Sequence, residues 1–159
     1  MSFITRSARR SGSNGTSEMT ARSAADKYAE IGLGPARADH MVPARSFVDA
    51  GVPLAFESNF TMAPVQPLLL AWAGATRVTA DGNAVAPDER ISLDEALQAI
   101  TIDAAYQLRM EDEIGSIAVG KRADFTVLEK DPYEVPIEKL KDIPIWGTVF
   151  EGKHYPLSR

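Results

Sequence analysis

Residues 64–77, PVQPLLLAWAGATR, constrain the fold more than any other stretch of this 159-residue chain. Pro67 suits the first turn of a helix, where its fixed φ is already helical and its missing N–H is not needed. Beyond it, Leu68, Leu69, Leu70, Ala71, Trp72, Ala73 and Ala75 leave almost no polar side. A helix that is apolar all round must be covered on several faces. It is also well short of the roughly 18 apolar residues that a membrane helix needs. The sequence therefore predicts a soluble protein in which other elements pack around this helix, with no membrane partner.

Those other elements are readable on both sides. Helical character around Ala36 to Met41 is interrupted by Pro43, resumes through Ser46, Phe47, Val48 and Ala50, and stops at Gly51, the residue type that follows many helix C-termini. Val52-Pro53-Leu54-Ala55-Phe56 then reads as a short buried strand with its proline at the start. Helix, glycine, strand is an α/β rhythm. Residues 79–91 carry turn chemistry, sharpest at Asp81-Gly82. Ser92-Leu93-Asp94-Glu95 has the form of a capping box, with Ser92 and Glu95 each satisfying an orphan amide of the other's residue. It predicts a helix to about Met110 whose stripe of Leu93, Leu97, Ile100, Ala104 and Leu108 faces a core.

Phe125 to Leu128 and Ile145 to Phe150 read as strands, and Glu151-Gly152-Lys153 as a turn into a last short strand through His154 and Tyr155. Between them, residues 131–144 contain three prolines and are expected to be irregular, with at most one helical turn. At the other end, residues 1–25 are rich in Ser, Thr, Gly and Arg and predict a disordered arm. An acid-poor, Arg- and Ser-rich N-terminus is also the composition of a transit peptide. Gly12, Asn14 and Gly15 weaken the helix such a peptide needs.

Charge and composition exclude several functions. Four arginines against one glutamate give residues 1–25 a charge of +3, so the overall −5 leaves −8 for residues 26–159. An acidic body argues against nucleic acid as a partner, since phosphate binding needs a clustered basic face. A nucleic-acid role for the arm through Arg6, Arg9 and Arg10 is the weaker alternative to plain solubilising charge. The lack of cysteine removes disulfides and thiolate metal sites. His40 and His154, the two histidines, have no ligand spacing and read as surface or core residues. The sequons at Asn14 and Asn59 matter only in a secreted protein, and nothing reads as a secretory signal.

The ordered set of segments, a capped helix, then GSIAVGKRADFTVLEKDPY, then IPIWGTVFEGK, closely resembles the C-terminal end of the amidohydrolase superfamily, in its family 3-like branch. The resemblance runs from about Ile31 to Pro156. It implies an α/β fold: an incomplete C-terminal portion of a (β/α)₈ TIM barrel, with Val52 to Asn59 as the last strand and Pro64 to Arg77 and Ser92 to Met110 as closing helices. Ala123 to Tyr155 would then be strands of the flanking β-sandwich. The implied domains are an arm at 1–25, barrel elements at 26–112 and sandwich strands at 113–159. Gly115 and Gly120 become structural residues of the passage into the sandwich rather than phosphate binders.

What the resemblance implies about chemistry is a divalent metal such as zinc (Zn²⁺), held at the barrel mouth, that activates water against a non-peptide carbon–nitrogen bond. The family's histidine and carboxylate ligands of the earlier strands have no counterpart here. At the end of the last strand, where the family carries its catalytic aspartate, this chain has Glu57-Ser58-Asn59. Residues two apart on a strand share a face, so Glu57 and Asn59 would point into the barrel and Ser58 toward the helices. Asn59 has no group that titrates near neutral pH and cannot be the general base; a substitute role for Glu57 would place it several ångströms away. The alternative reading makes both merely polar residues at a strand end.

A stand-alone chain of this kind is expected to bind no metal or other cofactor, to be inactive and cytoplasmic, and to be a truncated piece with an unrelated arm joined at about residue 26. The strand at 52–59 would have both edges unpaired, and Leu68, Leu69, Leu70 and Trp72 would be exposed. The expected partners are an N-terminal amidohydrolase part or a second copy. The competing function is a non-catalytic interaction module that docks through the apolar helix.

Overall fold

Helix-forming, turn-forming and strand-forming stretches follow one another along the chain, and the computed structural model shows where each is placed. It describes residues 15, 16, 18–58, 60 and 63–157. Strand β1 (Gly15–Thr16) leads into α1 (Glu18–Ile31), followed by α2 (Pro35–Ala38), α3 (Ala44–Asp49), β2 (Ala55–Phe56), α4 (Pro67–Thr76), α5 (Leu93–Ala99) and α6 (Ile102–Gln107). Strands β3 (Phe125–Leu128), β4 (Ile145–Phe150) and β5 (Lys153–Pro156) come last. β1 pairs parallel with β2, and β3–β4–β5 form a separate antiparallel sheet. The architecture is α/β.

Three expectations are corrected at the N-terminal side. Residues 15, 16 and 18–25 belong to β1 and α1, not to a disordered arm. The stretch from Glu18 to Ile31 includes seven alanine, methionine and glutamate residues, good helix formers whose propensity outweighs the Ser and Thr among them. The remainder of the expected arm, residues 1–14 and 17, lies outside the described residues. β2 has one edge paired, Gly15 opposite Ala55 and Thr16 opposite Phe56. And the helix read as exposed is buried: Leu69, Leu70 and Trp72 are each about 7% exposed or less, because α1, α5 and the 3-10 helix Ile137–Asp142 cover α4.

The core holds Leu54 and Phe56 of β2, Leu69 to Ala73 of α4, Ala96 and Ala99 of α5, and Leu140 and Ile143 from the chain after β3. Gly74 lies against the Phe56 ring in it. A Cβ there would sit 2.5 Å from Phe56 Cζ, so only glycine lets α4 lie this near the strand. The 3-10 helix at 137–142 is longer than the single turn expected from the prolines, and its Leu140 is fully buried.

The capping box forms as read: Ser92 Oγ accepts from the Glu95 amide at 3.2 Å, and Glu95 accepts from the Ser92 amide at 2.7 Å. The helix it starts is not continuous to Met110. It breaks at Ile100-Thr101, where three consecutive β-branched residues, Ile100, Thr101 and Ile102, crowd the turn and the Thr101 hydroxyl donates to the Leu97 carbonyl at 2.6 Å. The break rotates the stripe: Ala96, Ala99 and Ala105 are buried, whereas Leu108 is two-thirds exposed.

The passage from α6 to the sheet is held by polar contacts. Lys121 Nζ donates to the carbonyls of Glu111 and Ile114 and to Ser116 Oγ. Gly115, at φ +84°, has no room for a Cβ, which would meet Ala105 Cβ at 2.6 Å. Arg122 reaches both Asp124 and Glu151, and the Asp124 carboxylate accepts the Glu151 amide at 2.7 Å, which fixes the turn between β4 and β5. Among the described residues no helix is long and apolar enough to cross a membrane.

Candidate functional site at the end of β2

The strand that carries the sequence-predicted site is short, and what orients its end is the packing of the residues before it. Leu54 and Phe56 belong to the core cluster, while Ala55, 3% exposed, lies outside that cluster. Alternation then places Glu57 on the side of Ala55, away from α4 and α5. Glu57 is exposed and Ser58 half-buried. Asn59, the position of the family's catalytic aspartate, lies outside the described residues. Of the two candidates, the structure therefore places Glu57 alone, one residue beyond the paired segment.

The described surroundings of that strand end do not fit a metal centre. Among the described residues no group of three or more His, Asp or Glu side chains is gathered so that it could hold a metal ion. His40 is an exposed residue in the turn after α2, and His154 sits on β5 edge-on to Trp146 at 6.4 Å. The two histidines belong to different elements and have separate surroundings. One carboxylate by itself is not a multidentate ion site.

The strongest electrostatic arrangement lies in the helical scaffold, and sequence reasoning found only half of it. Arg45 of α3 makes a two-pronged contact with Glu95 at 2.8 and 2.9 Å and also reaches Asp49 at 2.8 Å. The Arg45 guanidinium, aided by the Ser92 amide and hydroxyl, holds the Glu95 carboxyl at about 2. Next to it, Glu89 accepts from the Ser46 amide at 2.9 Å and the Ser46 hydroxyl at 2.6 Å, capping the first turn of α3. Burial pushes the Glu89 carboxyl up, but the Ser46 contacts outweigh it and the net shift is downward. Glu95 was visible through its local partner Ser92; Arg45, fifty residues earlier, left no signal.

Arg77 was missed altogether. It ends α4 in the left-handed conformation (φ 56°), is 2% exposed, and donates to the carbonyls of Met41 at 2.9 Å and Val42 at 3.2 Å. Val42 itself has φ 53°, an uncommon conformation for a β-branched residue. The guanidinium thus fastens the chain before α3 to the end of α4. These clamps hold the scaffold behind β2 and are structural in role.

Comparison with known proteins fits this architecture. The amidohydrolase family description matches residues 4–155, starting ahead of the Ile31 expected from the motifs and taking in the join expected near residue 26. An N-substituted formamide deformylase of Arthrobacter pascens is 34% identical over 112 residues, 70% of this chain and 21% of that protein. An imidazolonepropionase of Bdellovibrio bacteriovorus is 33% identical over 91 residues, 56% of this chain and 19% of that protein. The crystal structure of an amidohydrolase from Thermotoga maritima superposes with a TM-score of 0.55 at 19% identity, covering 74% of this chain and 27% of that one. This chain spans about a fifth of the length of the curated relatives it matches. With nearly its whole length inside the family match, the chain belongs to the amidohydrolase family.

Proposed function

We propose that this chain is the C-terminal portion of an amidohydrolase barrel, with β2 as the last barrel strand, α4 to α6 as closing helices and β3–β5 as strands of the flanking sandwich. The reaction of the assembled protein is hydrolysis of a non-peptide carbon–nitrogen bond, and the chain alone is inactive. The observation that carries this reading is the family match over residues 4–155 in a chain that spans about a fifth of its relatives' length, with the exposed Glu57 at the end of β2. The divalent ion the family uses supplies a polarised water when bound, and in this reading its ligands come from barrel strands outside these 159 residues. The partner in this reading is an N-terminal amidohydrolase part that carries the missing histidines, in the cytoplasm; a homo-oligomer is the other assembly to be tested.

The test is direct. Purified chain given Zn²⁺ or Mn²⁺ and an N-substituted formamide is expected to show no turnover and no stoichiometric metal uptake by elemental mass spectrometry. Turnover that disappears in Glu57→Gln would overturn the inactive reading. Co-expression with an amidohydrolase N-terminal part is expected to give a 1:1 complex on size exclusion, and a lone monomer or a self-assembled oligomer under the same conditions counts against that partner. Burial of Leu69, Leu70 and Trp72 by this chain's own elements supports this reading over the competing docking role for the apolar helix.

A further inference from the structure

We draw no further inference here: the strongest candidate, the solvent-facing side of the β3–β4–β5 sheet around Thr148, Phe150 and Tyr155, carries nothing because nothing in the structure shows what covers it.

Discussion

The helical region around α4 and the three-stranded sheet at the C-terminal end treat their apolar residues in opposite ways. Around α4, Leu69, Leu70, Ala71, Trp72 and Ala73 are all buried, and β2, α5 and the chain at 140–143 contribute side chains to the same cluster. In the sheet, Phe150 and Tyr155 are about half exposed and β5 is exposed along its whole length. Both regions have well-paired backbones, so hydrogen bonding does not separate them. Burial does. The free energy that holds this chain together is concentrated in the helical core, while the sheet joins that core through Leu128 of β3 and the 3-10 helix whose Leu140 plugs into it.

The contrast can be broken most severely at Leu140. Leu140→Ala removes a fully buried side chain that joins the two regions, and we expect a loss of about 3 kcal/mol in denaturant unfolding. An effect below about 1 kcal/mol would mean that the junction is not part of the core. Next, Gly74→Val places side-chain atoms where Phe56 already sits, and should cost about 2–3 kcal/mol by overpacking. A companion Phe56→Leu change is expected to restore part of that loss if the close approach is its cause.

A smaller effect carries a pH signature. Glu95 is held at about 2 instead of 4.5, so its contribution to stability is complete above about pH 5 and disappears as pH falls toward 2. With the side chain about a quarter exposed, solvent screening reduces the contribution to about 1–2 kcal/mol. Glu95→Gln should lower stability by that amount at pH 7 and flatten the decline between pH 5 and 2; an unchanged decline would assign it to other carboxylates such as Glu89. Smallest of all, Phe150→Ser and Tyr155→Ser should each change stability by less than about 0.5 kcal/mol, measured on the isolated chain. A loss near 2 kcal/mol at either position would show that the sheet face is buried in solution and erase the contrast.

Local signals were legible in the sequence and distant ones were not. Ser92 and Glu95 lie three residues apart, and the cap they form is the one that was read. Gly51, at φ +68°, ends the helical segment where expected, and β3 and β4 occupy their predicted ranges. The apolar helix was placed correctly, but its cover came from residues 93–99 and 137–142, which periodicity within the helix cannot locate. The break at Thr101 was readable in principle from the β-branched run, and the leucine stripe concealed it. Arg45 and Arg77 satisfy partners 35 to 50 residues away, a distance at which sequence spacing carries no geometry. At the candidate site, the strand and its buried Leu54 and Phe56 were legible from the apolar run, and the described residues place Glu57 as an exposed residue at its end.

A glycine-bracketed loop ending in lysine invites comparison with the loops that grip phosphate, and here hydrogen-bond valence decides against it. An ammonium group has three N–H bonds. Those of Lys121 point to the Glu111 and Ile114 carbonyls and the Ser116 hydroxyl, all within the preceding ten residues of its own chain. Its donors are spent on closing the loop, so the cation serves as an internal knot and has nothing left to offer an anion.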